Sequence, residues 1–227
     1  MLALVGSGEY LASMEPVDRY LIGKLQQAPK VVCLPTAAGN EGDERIAYWS
    51  NLGIDHFTRL GANVKALPVI DRESANNKQF ADTIAKTNFV YLSGGRPVYL
   101  YDTLENTLVW KSILFVLENG GIMAGCSAGA MIMGEEFLSF NGRKPGFNFI
   151  SGAAIIPHFD EIPDTRRQRL YQQIRSDLIV LGIDRNTALI QCNDQTYEVA
   201  GNGKVTVIHK GEHISFTSGP LPVSIWR

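Results

Sequence analysis

The sequence has little cysteine, almost no net charge and no long apolar run. Its three cysteines, Cys33, Cys126 and Cys192, are odd in number and widely spaced, which excludes a disulfide scaffold and a CxxC metal site. Lysine and arginine number 21 and aspartate and glutamate 23, so the formal net charge of −2 gives no general attraction to nucleic acid. No apolar run approaches the roughly 18 residues of a transmembrane helix.

The composition is that of a globular protein. Of the 227 residues, 45% are hydrophobic and 19% are charged, which is enough apolar surface for a full core and excludes a disordered chain. The chain begins with a strand-like run rather than with a positively charged leader and a cleavage site. We therefore expect reduced thiols, a cytoplasmic protein and a single domain over residues 1–227.

Short apolar runs alternate with stretches of helical periodicity in the first half of the chain. The predicted strands are residues 2–5, 30–34, 64–70, 88–92 and 121–125. The predicted helices are residues 16–27, 43–60, 76–86 and 107–118. This alternation is typical of βαβ units, so it predicts a three-layer α/β/α sandwich around a mostly parallel sheet. Ligands bind such sheets at the carboxyl ends of the strands, where this chain is rich in glycine.

The C-terminal part has a different pattern. A helix predicted over 164–181 is followed by short β-rich runs at 187–191, 196–199 and 205–209. The glycines at 201 and 203 separate the last two runs and predict a hairpin between them. We interpret these runs as antiparallel additions to the same sheet rather than as a second domain.

The motif with the most chemical content is Gly125-Cys126-Ser127-Ala128-Gly129, directly after a predicted strand. A nucleophile at a sharp strand-to-helix turn needs small neighbours, because strand and helix approach closely there. Ser127 is then the nucleophile, and the N–H of Ala128 at the helix start would stabilise an oxyanion. Cys126 is the alternative nucleophile, but Ser127 fits better because glycine occupies both small positions around it.

A serine nucleophile needs a general base, and His158 is the candidate. It ends the apolar run 154–157, so it is expected at the ligand-binding edge of the sheet. The acid that orients the imidazole stays open. The acids between the serine and this histidine are Glu135 and Glu136. Asp160 and Glu161 are so near the histidine in sequence that we do not expect them to approach its ring easily.

Gly94 and Gly95 follow the predicted strand at 88–92. Their backbone N–H groups would lie beside the nucleophile, so Gly95 is the second candidate for an oxyanion hole and Gly94 a candidate substrate contact. Arg96 comes next, and its guanidinium would bind a substrate carboxylate through two hydrogen bonds. The competing arginines, on the predicted helix that follows, are Arg166, Arg167 and Arg169.

Four segments occur in the order found in a known family. They are YLSGG (91–95), AGCSAGA (124–130), PHF (157–159) and LGIDRNTA (181–188). In them the chain resembles the serine peptidases of the dipeptidase E (aspartyl dipeptidase) and cyanophycinase type. The resemblance implies a flavodoxin-like fold, similar to class I glutamine amidotransferases. It also implies cleavage of a peptide or isopeptide bond through a Ser-His-Glu triad and an acyl-enzyme, with Glu136 slightly favoured over Glu135 by its spacing to the histidine.

These patterns lead to a set of functional expectations. We expect a small peptide substrate, no nucleic-acid or membrane partner and no cofactor, and the sequence is compatible with a homodimer. The histidines are scattered without metal-ligand spacing, so we expect no metal. The alternatives are a non-catalytic small-molecule-binding or regulatory domain and a cysteine-dependent glutamine amidotransferase that uses Cys126. The pair of Ser127 and His158 favours the hydrolase, because a binding module needs neither.

Overall fold

A parallel sheet forms the centre of the computed structural model, which describes residues 1–222. Its five parallel strands are β1 (Leu2–Val5), β2 (Lys30–Leu34), β3 (Asn63–Ala66), β4 (Phe89–Leu92) and β5 (Ile122–Cys126). They are ordered β1-β5-β4-β2-β3, so β5 lies between β1 and β4. Every residue of β1, β4 and β5 is buried, as expected of parallel strands covered on both faces.

Helices cover the two faces of this sheet. They are α1 (Glu15–Gly23), α2 (Asp43–Arg59), α3 (Arg72–Ala75), α4 (Lys78–Ile84), α5 (Pro97–Leu104), α6 (Leu108–Glu118) and α7 (Ala128–Met131). A further helix, α8 (Asp164–Gln173), packs against a separate apolar cluster that includes Ile156 and Val180. Leu21 of α1 and Phe57 of α2 are buried in one apolar cluster with strand residues. Ile84, Leu100 and Ile113 of α4, α5 and α6 belong to a cluster on the other face. The predicted α/β/α sandwich is confirmed, and no helix within residues 1–222 is long and apolar enough to cross a membrane.

Local signals set several helix starts. Thr107 caps α6 by accepting a hydrogen bond from the Trp110 N–H, and Asn77 caps α4 by accepting from the Gln79 N–H. Pro97 occupies the first turn of α5, where its missing N–H costs nothing.

The remaining strands are β6 (Gly134–Ser139), β7 (Gly142–Pro145), β8 (Ile150–Ile156), β9 (Ile179–Ile183), β10 (Thr187–Gln191), β11 (Tyr197–Gly201), β12 (Val205–His209), β13 (Glu212–Phe216) and β14 (Gly219–Leu221). Strands β10, β11 and β14 extend the parallel sheet beyond β1 in antiparallel pairs, which makes eight strands. The other six form a second sheet, ordered β13-β12-β9-β8-β6-β7. Phe137, Ile155 and Leu181 of this sheet share a buried cluster with Leu4 and Leu92 of the first sheet.

The second sheet corrects two expectations. The hairpin predicted between 196–199 and 205–209 is wrong, since β11 pairs with β10 and β14 while β12 pairs with β9 and β13. The glycines there allow a close crossing instead: a Cβ on Gly201 would lie 2.2 Å from the carbonyl oxygen of Asn186. The helix predicted over 164–181 ends at Gln173, and the apolar run that follows becomes the buried strand β9.

Candidate active site

Ser127 lies at a sharp turn between β5 and α7. Its backbone has φ 50° and ψ −106°, a positive φ that residues other than glycine rarely adopt. The flanking glycines touch each other: a Cβ on Gly125 would lie 2.5 Å from the backbone carbonyl of Gly129. Small residues at these two positions are therefore a requirement of the close approach of strand and helix, as the motif predicts.

The backbone N–H groups of Ala128, the first residue of α7, and of Gly95, which follows β4 with φ 145°, have no acceptor within residues 1–222. The glycine loop lies against Ser127, because a Cβ on Gly94 would be 3.2 Å from the Cβ of Ser127. Gly94 itself is not a free donor, since its N–H donates to the carboxylate of Glu9 at 2.8 Å. Two N–H groups thus remain available for a substrate oxygen.

His158 reaches Ser127 from the end of β8 in the second sheet. Its Nε2 lies 3.1 Å from Ser127 Oγ, which is hydrogen-bonding distance. The backbone of His158 is left-handed, with φ 53° and ψ 32°, and it opens a 3₁₀ turn over Phe159–Glu161. The residues expected to act as nucleophile and base are therefore in contact.

Glu161 contacts the other nitrogen of the same imidazole. Its Oε2 lies 2.6 Å from His158 Nδ1, and its N–H donates to the His158 carbonyl at 2.9 Å. Residues three apart in a 3₁₀ turn lie one above the other, which explains how so near a neighbour reaches the ring. The expectation that proximity in sequence would hinder this contact is wrong. The two side chains are 44% and 41% exposed.

Glu135 and Glu136, the sequence candidates for the acid, make other contacts on β6. Glu135 accepts from the Gly152 N–H at 2.9 Å and pairs with Arg175 at 2.7 Å. Glu136 is buried and accepts from the backbone N–H of Arg175 at 3.1 Å. Both carboxylates are engaged by Arg175, and the structure brings Glu161 to the imidazole in their place.

Asp160 and Arg185 support the turn that carries Glu161. The Arg185 backbone N–H donates to Asp160 Oδ1 at 2.8 Å, and its Nε lies 3.0 Å from Asp160 Oδ2. The same guanidinium is 3.7 Å from Glu161 Oε1. The turn after His158 is thereby linked to the segment that follows β9.

The side chain of Cys126 points into the protein interior. It is fully buried, and its thiol donates to Glu9 Oε2 at 2.9 Å. Burial and, after it, the charge of Glu9 raise the pKa of the Cys126 thiol well above its usual value. The thiolate is the reactive form of cysteine, so this inaccessible thiol is not a nucleophile, and the amidotransferase alternative is wrong.

Arg96 is exposed beside the glycine loop, where it precedes α5. Its side chain is 63% exposed, and its Nε lies 3.8 Å from Glu41 Oε1, a loose ion pair. Among its competitors, Arg167 packs over the ring of Phe159 at 4.8 Å and pairs with Asp164. Within residues 1–222, no group of three or more His, Cys, Asp or Glu side chains is arranged to hold a metal ion.

Glu9 is not among the site residues predicted from the sequence, although its position gives a signal. Glu9 follows the glycine-rich segment at the carboxyl end of β1, the strand next to β5. Its buried carboxylate accepts from the backbone N–H of Gly94 and from the thiol of Cys126, the residue before Ser127.

The site combines a serine on a strained strand-to-helix elbow, a histidine at hydrogen-bonding distance and unpaired N–H groups. This combination is typical of a serine-type hydrolase. Residues 2–199 match the model of peptidase family S51. The chain therefore belongs to peptidase family S51.

Relatives agree with this assignment. A cyanophycinase from Geminocystis herdmanii is 28% identical over 71% of this chain and 64% of its own length, so this chain spans less than two thirds of that protein. The crystal structure of a peptidase from an acI-B1 Actinobacterium is 37% identical, with a TM-score of 0.88 over 96% of this chain and 94% of that one. A putative peptidase E protein from Listeria monocytogenes, 19% identical with a TM-score of 0.62 over 96% and 98% of the two chains, shares the fold.

Proposed function

We propose that this peptidase cleaves a peptide or isopeptide bond of a small peptide through Ser127, His158 and Glu161. One observation carries the proposal: the two nitrogens of a single imidazole lie 3.1 Å from Ser127 Oγ and 2.6 Å from Glu161 Oε2. This is the relation of nucleophile, base and orienting acid that defines a catalytic triad.

The reaction follows from this arrangement. As Ser127 Oγ attacks the carbonyl carbon, His158 Nε2 takes the hydroxyl proton. Glu161 keeps the second ring proton on Nδ1 and stabilises the imidazolium that forms. The negative oxygen of the tetrahedral intermediate accepts hydrogen bonds from the N–H groups of Gly95 and Ala128. The C–N bond then breaks, the leaving amine takes the proton from His158, and the acyl group stays on Ser127.

A water molecule completes the cycle. His158 Nε2 takes its proton as the water oxygen attacks the acyl carbon, and the proton then returns to Ser127 Oγ as the ester breaks. The products are a free carboxylate and the restored enzyme.

Arg96 supplies the selectivity for a substrate carboxylate in this proposal. It follows Gly95 directly, and within the described residues 1–222 its exposed guanidinium has only a loose pair with Glu41, 3.8 Å away. Exposed pairs of this kind contribute ~1 kcal/mol or less, so a substrate carboxylate bound through two hydrogen bonds can replace Glu41. The carboxylate is either the terminus of a short peptide or an acidic side chain.

A fluorophosphonate probe tests the proposed function. The probe forms a covalent bond with an activated serine, so the wild-type protein gains the mass of one adduct at Ser127. Ser127→Ala remains unlabelled, whereas Ser176→Ala, a change at an exposed serine, is labelled like the wild type. Absence of labelling in the folded wild type, or labelling that persists in Ser127→Ala, contradicts the proposal.

A further inference from the structure

We propose that Glu9 is a positioning residue that holds the oxyanion loop, Gly94-Gly95, against the nucleophile elbow. The inference rests on the proposed function, because it assigns Gly95 to the oxyanion hole. Glu9 has no place among the nucleophile, base and acid, but its buried side chain contacts Gly94 and Cys126, the residue before the nucleophile.

The strand order puts Glu9 within reach of both halves of the site. Because β5 lies between β1 and β4, the segments that follow β1 and β4 flank the elbow on either side. Glu9 follows β1, and its Oε1 accepts from the N–H of Gly94 at 2.8 Å. Its Oε2 accepts from the thiol of Cys126, at the end of β5, at 2.9 Å. One carboxylate thus connects the loop after β4 to the strand that carries the nucleophile.

A second contact doubles this connection. The hydroxyl of Tyr10 and Oγ of Ser93 are 3.0 Å apart and buried, so two successive residues after β1 hold two successive residues after β4. Tyr10 has φ 65°, a conformation that is unfavourable for a bulky side chain. Such strain persists only where the surroundings impose it, and it is concentrated at functional sites.

The bond to Glu9 decides which amide is left for the substrate. It occupies the N–H of Gly94, while the next N–H, that of Gly95, has no acceptor within the described part of the chain. A Cβ on Gly94 would meet Glu9 Oε1 at 2.8 Å and the Cβ of Ser127 at 3.2 Å, so the loop is packed between the carboxylate and the nucleophile. Removing the carboxylate frees the Gly94 amide and lets the loop shift.

Within residues 1–222, no cation offsets the energetic cost of burying the Glu9 carboxylate. Glu9 is 7% exposed, and its carboxylate forms no ion pair in that part of the chain. Burying an acid without a cation is unfavourable for folding. A loss of activity at Glu9 that leaves thermal stability unchanged therefore identifies a role in the site rather than in the fold.

Three variants distinguish whether the hydrogen-bond acceptor, the negative charge or the volume of the Glu9 side chain matters for the site. Glu9→Met fills the space without an acceptor, Glu9→Gln keeps an oxygen for the Gly94 N–H, and Glu9→Asp keeps the charge but is one methylene shorter. Asp18→Asn is the matched control, because Asp18 is an equally buried acid that bonds His56 and not the oxyanion loop. The readouts are the limiting rate constant of fluorophosphonate labelling, the half-saturating probe concentration and the melting temperature.

We expect Glu9→Met to lower the limiting rate constant ~100-fold, since losing one oxyanion donor costs about 10²–10³ in rate. The half-saturating probe concentration of Glu9→Met stays within threefold of the wild-type value. The limiting rate constant of Glu9→Gln stays within fivefold of the wild-type value, whereas that of Glu9→Asp falls at least about tenfold. Asp18→Asn labels within twofold of the wild type.

Three results overturn the inference. The first is a folded Glu9→Met that labels within threefold of the wild type. The second is a Glu9→Gln variant whose labelling rate falls as far as that of Glu9→Met, which would assign the effect to the charge of Glu9. The third, decisive if Glu9→Met does not fold, is an unchanged rate in Glu9→Asp. A wild type that is not labelled at all contradicts the proposed function instead, so the two failures are distinguishable.

Discussion

The ring of Phe159 lies directly on the backbone of Gly182, so that a Cβ on Gly182 would be 2.5 Å from two carbons of the ring. Phe159 follows His158 in the chain and is buried, whereas the imidazole itself is partly exposed. The contact with Gly182 on β9 therefore holds Phe159 in place, and Phe159 in turn fixes the position of the adjacent His158. Only glycine at position 182 leaves room for this ring.

Gly182→Ala tests the anchor. The added methyl group pushes the ring of Phe159 and moves His158 with it, and a displacement of about 1 Å costs about 10²-fold in rate. We expect the rate of fluorophosphonate labelling to fall at least ~10-fold, with an overpacking cost of about 1–3 kcal/mol in the free energy of unfolding.

Gly23→Ala is the control for this substitution. Gly23 ends α1, and a Cβ there meets nothing within 4 Å. The labelling rate of Gly23→Ala should equal that of the wild type. Equal rates in Gly182→Ala and Gly23→Ala would remove the anchoring role from Phe159.

The buried thiols give a chemical prediction. Burial raises the pKa of the Cys33 thiol to about 12, and burial with the charge of Glu9 raises the pKa of the Cys126 thiol. Both groups are therefore protonated at pH 8, below their pKa values, and both are inaccessible. Iodoacetamide at pH 8 should leave fluorophosphonate labelling unchanged, with alkylation confined to Cys192, as peptide mapping can establish. Loss of labelling in proportion to alkylation of Cys126 would restore the cysteine as nucleophile.

Arg96 is expected to determine the affinity for substrate. On the peptide cleaved fastest in a panel of dipeptides and tripeptides, Arg96→Ala should raise KM at least ~10-fold, since a charge-assisted hydrogen bond contributes about 1.5–3 kcal/mol. Arg96→Lys should recover part of the loss, because it keeps the charge but not the paired hydrogen bonds. Arg19→Ala, which removes an exposed arginine paired with Glu15 on α1, is the control. Unchanged kinetics in Arg96→Ala on acidic and neutral peptides alike would remove this residue from the site.

Much of the parallel sheet could be predicted from the sequence because its signals are local. Buried strands are continuous apolar runs, and the elbow needs small residues on both sides of Ser127. The second sheet could not be predicted in this way. Strands β8, β9 and β12 are apolar runs like those of the first sheet, and the choice of partner depends on contacts distant in sequence.

The acid that contacts His158 was predicted wrongly, for a reason different from that of the second sheet. The sequence suggested that an acid near His158 would not reach its ring, and this favoured Glu135 and Glu136. The outcome depends on one backbone conformation, the left-handed φ of His158, which starts a 3₁₀ turn and brings Glu161 to Nδ1. A left-handed histidine has no recognisable signal in the surrounding residues, so this contact is visible only in the fold.

The proposed triad depends most directly on Glu161 as the partner of His158. The rate of fluorophosphonate labelling of Glu161→Gln, compared with that of Glu136→Gln, tests this role. Glu161→Gln cannot stabilise the imidazolium, so labelling should slow about 10²-fold or more, in line with the loss when the acid of a triad becomes an amide. Glu136→Gln still accepts from the Arg175 N–H and should label within threefold of the wild type. A Glu161→Gln that labels like the wild type, or an equal loss in Glu136→Gln, would contradict the account.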